Sequence, residues 1–234
     1  MFQFKQFSVD QSNCAMKINT DGVLLGALAD GDKINNILDI GTGTGVIALM
    51  LAQRFGKANI DAVEIDELAA YTAASNFKNS VFNERLTAHH ISFEDFFNTS
   101  LYIKYDLMVS NPPFYINSLH SPAEKKQLAK HADKSLFQHM LTGAAQHLSP
   151  HGTFWLVLPL QTAELVKSIA AGVGLYIAKI IHLRSFADKA PHREIVQLSF
   201  ERNKKREEQL VIYESEGGYT HQYKKALKPF FTIF

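Results

Sequence analysis

Short apolar runs alternate with helix-length segments along most of the chain. Ile37-Leu38-Asp39-Ile40 reads as a brief strand ending in glycines, and Val46 to Phe55 has helical character. Ile60-Asp61-Ala62-Val63 predicts a second strand, followed by a helix from about Glu67 to Asn79. Leu86 to Ile91 and Tyr105 to Ser110 read as a third and a fourth strand. Ser135 to Leu148 is helical in pattern, and Thr153 to Leu158 is a fifth strand closed by Pro159. A helix from about Thr162 to Ala171 precedes two further strands, Tyr176 to Arg184 and Glu194 to Phe200. Nearly continuous apolar strands alternating with helices predict an α/β protein: a mostly parallel sheet covered on both faces. The last two strands lack a helix between them, which predicts an antiparallel hairpin at the sheet edge. The run Glu201 to Glu208 is mixed in charge and reads as a solvated connection.

Bulk properties narrow the class. The 234 residues are 46% hydrophobic and 20% charged, the balance of an ordinary globular chain. One domain, residues 1–234, is expected, with residues 1–30 as an amino-terminal cap and Thr20-Asp21-Gly22 as a helix start. No run reaches the roughly 18 apolar residues of a membrane span, and none resembles a signal peptide. The single cysteine, Cys14, forms no internal disulfide and fits a reducing cytoplasm. A net charge of +1 neither predicts nor excludes nucleic acid, since binding needs a local basic patch. His89 and His90 point to opposite faces of their strand, so no metal is expected from that pair.

The chemistry concentrates after the fourth strand, at Asn111-Pro112-Pro113-Phe114. Each proline fixes its own φ and removes a donor, and Pro112 pushes Asn111 toward extended geometry. The result is a stiff corner rich in acceptors and followed by an aromatic ring. Such a corner suits a planar group bearing an NH2. It is equally the sequence of a proline turn with Phe114 packed inside.

A second feature lies after the first strand. Asp39-Ile40-Gly41-Thr42-Gly43-Thr44-Gly45 lets the backbone turn tightly and a ligand approach without a Cβ in the way. Its spacing, G-x-G-x-G, departs from the G-x-G-x-x-G of dinucleotide enzymes. Glu64 ends the second strand about twenty residues on, where doubly wound folds place a carboxylate on ribose hydroxyls. Asp66 instead reads as the cap of the following helix. Asp39 either orients the loop or meets a ligand ammonium through water.

Together these features resemble the class I S-adenosylmethionine-dependent methyltransferases, with Asn-Pro-Pro-aromatic as the signature of enzymes that methylate a conjugated amine. The chain ends are similar to the bacterial valine-tRNA adenine-N6 methyltransferases. Phe4-Lys5-Gln6-Phe7, Ala15 to Gly26, Pro191-His192-Arg193 and Tyr219 to Phe234 carry that similarity, which spans nearly the whole chain. The resemblance implies a Rossmann-like, seven-stranded, mostly parallel sheet and S-adenosyl-L-methionine as cofactor. It also implies the adenosine immediately 3′ of the anticodon in a valine tRNA as substrate. Asn111 and the Pro112 carbonyl would accept the two amine hydrogens. Phe114 would stack on the extruded base, with Pro113 and Tyr115 beside it. Asp39, Gly41, Gly43, Gly45, Glu64 and Asn111 would line the cofactor. Ser92 stands where the family commonly has Asp to hold the cofactor's adenine amine, so Ser92, Glu94 and Asp95 share that assignment. Lys5, Lys17, His192 and Arg193 are candidates for tRNA phosphates. The segment carrying Lys125, Lys126 and Lys130 is a candidate flap. Rival readings are a protein glutamine-amide methyltransferase, a ribosomal-RNA guanine-N2 methyltransferase and a noncatalytic nucleotide-binding module.

Overall fold

A computed structural model of the chain describes residues 1–12, 14, 16–100, 102–112, 123–202 and 205–234, with the side chains of 123–133 outside the description. Strands β1 (Phe2–Gln3) and β2 (Ser8–Val9) pair antiparallel and precede α1 (Thr20–Leu28). The alternating core then runs β3 (Asn36–Ile40), α2 (Val46–Arg54), β4 (Asn59–Glu64), α3 (Glu67–Lys78) and β5 (Leu86–His90). It continues through α4 (Phe93–Thr99), β6 (Tyr105–Ser110), α5 (Ala123–His147), β7 (Leu148–Pro159) and α6 (Leu160–Ala170). The carboxyl-terminal part holds β8 (Tyr176–Arg184), β9 (Arg193–Ser199), β10 (Arg206–Val211), β11 (Tyr213–Ser215), β12 (Gly218–Tyr219) and α7 (His221–Leu227).

The main sheet has the order β10-β8-β9-β7-β6-β3-β4-β5. Strand β9 runs antiparallel to both β7 and β8, while every other pairing in the sheet is parallel. The strand alternation explains why the centre is buried on both sides. Ile37, Ile60, Leu107, Val109, Trp155 and Val157 enter one apolar cluster with α1 and α2. Leu38, Val63, Met108, Phe154, Leu156 and Leu158 enter the other with α4, α5 and α6. The amino-terminal segment belongs to the first cluster: Phe4 is fully buried beside Phe231, and Phe230 and Leu227 lie in the same core.

Two expectations about the sheet are corrected. It has eight strands rather than seven, and the β8–β9 hairpin does not form its edge. Residues 206–208, expected to be a solvated connection, begin β10, which pairs parallel with β8. The strand was hidden because Arg206-Glu207-Glu208-Gln209 carries no apolar alternation and its side chains are exposed. Its charges instead find partners on the neighbouring strand: Glu208 lies 2.8 Å from Lys179, and Glu207 lies 3.4 Å from His182. Charged cross-strand pairs hold an exposed edge in register and discourage further pairing. Helix α4 was also hidden. Only seven residues long, it is started by Ser92, whose Oγ accepts from the Asp95 amide.

Long-range caps close helix ends that local sequence leaves open. Arg54 Nη1 donates to the Gly26 and Ala29 carbonyls at the end of α1. Arg85 reaches the Ala52, Phe55 and Ala58 carbonyls at the end of α2. Each guanidinium satisfies carbonyls that the helix cannot.

Candidate active site

The glycine loop leaves β3 at the carboxyl edge of the sheet. Gly41, Gly43 and Gly45 have φ of 70°, 56° and 80°, a region that costs other residues steric strain. The Gly41 and Thr42 amides donate to the Val63 carbonyl at 2.9 and 3.1 Å, pinning the loop to β4. A Cβ built at Gly41 or Gly43 meets nothing within 4 Å, so these two positions border open space. Gly45 differs: a Cβ there would lie 2.4 Å from Phe77 Cε1 on α3. Two of the predicted glycines therefore border open space, and the third is required by packing.

Glu64 and Asp66 take separate roles. Glu64 Oε2 accepts from the Gly43 amide at 2.9 Å, and Oε1 accepts from the Asp66 amide at 3.0 Å. Asp66 caps α3 by accepting from the Ala69 amide. Glu64 is half-buried, so its remaining lone pairs stay available beside the loop. Asp39 is fully buried, and its Oδ2 accepts from the Thr42 hydroxyl at 2.6 Å while Oδ1 lacks a hydrogen-bond partner. Burial pushes its carboxyl up to about 7; the Thr42 hydroxyl and the Ala48 amide oppose that rise and the Glu64 charge adds to it.

Asn111 stands across the loop from Glu64, at the end of β6. Ser110 Oγ donates to the Ile40 carbonyl at 2.9 Å, fixing the end of β6 against the end of β3. The Asn111 Oδ1 is buried and has no hydrogen-bond partner. Pro112, the next residue, is buried. Pro113, Phe114, Tyr115 and the predicted flap lie outside the described residues or side chains.

Of the residues that complete this corner, Asn19 and Asn76 were not singled out beforehand. Asn19 caps α1, its Oδ1 accepting from the Gly22 amide at 2.9 Å. A Cβ at Gly22 would lie 3.6 Å from Asn111 Nδ2, so the start of α1 packs directly on the asparagine. Arg193 on β9 holds that turn from the far side, its Nε donating to Asp21 Oδ2 at 2.9 Å. Asn76 ties the loop to the amino-terminal segment: its Nδ2 donates to the Thr44 and Asp10 carbonyls, and its Oδ1 accepts from the Asp10 amide. A buried asparagine on the inner face of an alanine-rich helix was the available sequence signal for that brace.

A narrow cleft of about 40 Å³ runs from Met16 and Lys17 past Gly41 and Gly43 to Asn111. Lys17 lines it and is exposed, but the other cationic candidates are placed differently. Lys5 Nζ donates to the Lys228 and Phe234 carbonyls at 2.6 and 2.8 Å, clamping the chain end. Arg193 is paired with Asp21, and the neighbouring His192 has its pKa lowered by burial, against the Asp21 charge. Ser92 Oγ donates to Asp95 Oδ2 at 2.9 Å as well as capping α4, so its proton and one lone pair are committed locally. His89 meets Asp61 at 2.8 Å, whereas His90 reaches the Ile65 carbonyl; no cluster of metal-ligating side chains occurs among the described residues.

Comparison with known proteins matches residues 16–168 to the methyltransferase small domain. A tRNA1(Val) (adenine(37)-N6)-methyltransferase of Pedobacter heparinus is 48% identical over 233 residues, 100% of this chain and 98% of that one. The chain belongs to the tRNA1(Val) (adenine(37)-N6)-methyltransferase family. A member from Bacteroides fragilis is 39% identical over 230 residues, covering 98% of this chain and 97% of its own. Among solved structures, a predicted O-methyltransferase from Agrobacterium tumefaciens superposes with a TM-score of 0.69 at 18% identity. It covers 90% of this chain and 96% of that one, and the likeness is one of fold. This family member is thus a methyltransferase whose cofactor is S-adenosyl-L-methionine. The residues present fit that cofactor: open glycines, a carboxylate beside them, and a buried unpartnered oxygen on Asp39. No helix among the described residues is long and apolar enough to cross a membrane.

Proposed function

We propose that this chain methylates the exocyclic N6 amine of the adenosine immediately 3′ of the anticodon, position 37, in a valine tRNA. The observation that carries the reading is the buried, unpartnered Asn111 Oδ1, held rigidly at the sheet edge opposite the glycine loop. A buried acceptor without a donor costs about 1–3 kcal/mol, a cost that an incoming N–H removes. The adenine-N6 activity of the relatives supplies the matching amine.

The cofactor supplies an activated methyl group on a sulfonium. The protein's own groups do the rest. Asn111 Oδ1 and the Pro112 carbonyl accept the two amine hydrogens and favour a nitrogen whose lone pair is freed from the ring. Their partial negative charges stabilise the positive charge that grows on that nitrogen during transfer. Each neutral bond contributes only about 0.5–1.5 kcal/mol, whereas alignment of reacting groups contributes on the order of 7–11 kcal/mol. Positioning therefore dominates, which explains why Asn111 is braced by Ser110 on one side and the start of α1 on the other. Phe114, with Pro113 and Tyr115, is assigned to stack on and border the extruded base. Stacking of that kind contributes roughly 1–3 kcal/mol per base. Glu64 is assigned to the ribose hydroxyls, and Asp39 to the loop and the cofactor's ammonium. Ser92, engaged with Asp95 as the cap of α4, shares the assignment to the cofactor's adenine amine with Glu94 and Asp95.

Residues 1–234 are read as a single domain, with residues 1–30 as its amino-terminal cap, acting in the cytoplasm. Lys5, Lys17, His192 and Arg193 lie on segments assigned to the tRNA side. For Lys5 and Arg193 the assigned contribution is support of that surface, because both already hold carbonyl or carboxylate partners. Incubation with labelled cofactor and total tRNA, followed by nucleoside analysis, tests the reading. N6-methyladenosine is expected; labelled protein or N2-methylguanosine would replace it with another amine substrate.

A further inference from the structure

A second cleft opens at the same edge of the sheet, beyond β8 and β10. Its volume is about 580 Å³, and its wall includes Phe186, Asp188, Tyr213, Glu214, Thr220 and His221. Phe186 follows β8 and Tyr213 follows β10, so both rings leave the carboxyl ends of parallel strands, as Asn111 does on β6. The Phe186 and Tyr213 rings are 5.5 Å apart and half-exposed. Behind them the Tyr213, Tyr219 and Tyr223 rings stack in series, at 5.2 and 4.8 Å.

The support beneath these rings is built rather than loose. Tyr213 donates its amide to the Ser185 carbonyl at 2.9 Å, joining the two aromatic segments. Arg184 Nη1 donates to the Lys189 carbonyl at 3.0 Å, folding the loop that carries Phe186. Tyr223 is buried under the series, and its pKa is raised to about 12, chiefly by desolvation. The ring platform is therefore fixed at its base and open at its Phe186 end.

We propose that this cleft stacks an unpaired nucleobase of the tRNA anticodon loop, one that flanks the methylated adenosine. The inference rests on the tRNA reading above. Two features choose a base over a phosphate. The open rings offer a π-face that any base can use, worth roughly 1–3 kcal/mol per base at such platforms. The carboxylates of Asp188 and Glu214 at the wall repel a phosphate but accept from an exocyclic amine. The distance also suits a neighbour of the target. Asn111 on β6 is separated from β8 by three strand spacings and from β10 by four, roughly 14–19 Å at about 4.8 Å each. A flipped adenosine at Asn111 leaves its flanking nucleotides extended along that edge.

The test is a tRNA titration of methyl transfer by wild type, Phe186→Ala and Phe186→Trp. Phe186→Ala should raise the KM for tRNA about tenfold, the loss expected of one stacked base. Its calorimetric affinity for S-adenosylmethionine should stay at the wild-type value, and Phe186→Trp should restore the KM. An unchanged KM in Phe186→Ala overturns the inference and leaves the assigned activity standing. A raised KM that Trp does not restore also overturns it, because a stacking face would accept the larger ring. Wild type that fails to methylate tRNA overturns the assigned activity, and this inference with it.

Discussion

Glu64 holds the glycine loop by the amide of Gly43, 2.9 Å from its Oε2, while its Oε1 holds the amide of Asp66 at 3.0 Å. The carboxylate thus fastens the loop to β4 and fixes the start of α3 together. Both protein partners are donors, so each oxygen must accept. Glu64→Gln keeps the size but turns one acceptor into an NH2 that faces an amide N–H. It should therefore behave nearly as badly as Glu64→Ala. Bonds to a charged acceptor contribute about 1.5–3 kcal/mol, so either variant should lose roughly 10- to 100-fold in cofactor affinity. Calorimetric titration reads this directly, and an affinity matching wild type would refute the assignment of Glu64 to the cofactor.

Asn111→Ala removes the buried acceptor without touching the loop. Turnover should fall by about 10²–10³, the scale seen when one preorganised hydrogen bond to a developing charge is lost. Cofactor affinity should stay close to wild type, because the glycines and Glu64 are unchanged. Single-turnover methylation separates the step from product release. A normal single-turnover rate in this variant would sink the proposed role of the side chain.

Why some of this was legible in the chain and some was not follows from the range of the interactions. The β3–α2 and β4–α3 units were readable because apolar runs, glycines and an Asp cap act within a few residues of one another. The exit of β6 at Asn111 was readable because Pro112 restricts the residue before it locally. Strand β10 was not readable, since its register depends on Lys179 and His182 of β8, 29 and 25 residues before their partners Glu208 and Glu207. The same holds for Lys5 and Arg193. Their charges suggested phosphate, but Lys5 meets the chain end 229 residues away, and Arg193 meets Asp21 172 residues away. The capping role of Ser92 was hidden in a different way: the short helix it starts has too little apolar pattern to announce itself.

Asp39 gives the protein a pH dependence of definite sign. Its ordinary pKa of 3.8 is raised to about 7 in the fold, mainly by burial. Between those values the native state binds more protons than the unfolded chain, so stability falls as pH rises from about 4 to about 7. Above about 7 the full cost is present, on the order of a few kcal/mol. Asp39→Asn keeps an oxygen for the Thr42 hydroxyl and removes the titration. Without cofactor, it should raise the melting temperature at pH 8 more than at pH 5. Thermal unfolding of both proteins at the two pH values checks the sign. Equal shifts would show that the carboxyl does not titrate differently on folding.

Gly41 and Gly45 share a positive φ but should fail differently when replaced. At Gly41 a Cβ meets nothing, so Gly41→Ala carries only the backbone strain of about 1–2 kcal/mol. Its added methyl projects into the open volume beside the loop, so the larger loss should be in cofactor affinity. At Gly45 the Cβ would come within 2.4 Å of Phe77 Cε1, against a ring that is itself buried. Overpacking adds about 1–3 kcal/mol to the strain, so Gly45→Ala should unfold at clearly lower temperature or denaturant than Gly41→Ala. Phe77→Leu in the Gly45→Ala background should recover part of that loss by relieving the contact, though not the strain of φ. Chemical denaturation of the three variants, paired with cofactor titration, separates a glycine kept for the ligand from one kept for α3. Equal destabilisation at Gly41 and Gly45 would contradict that division.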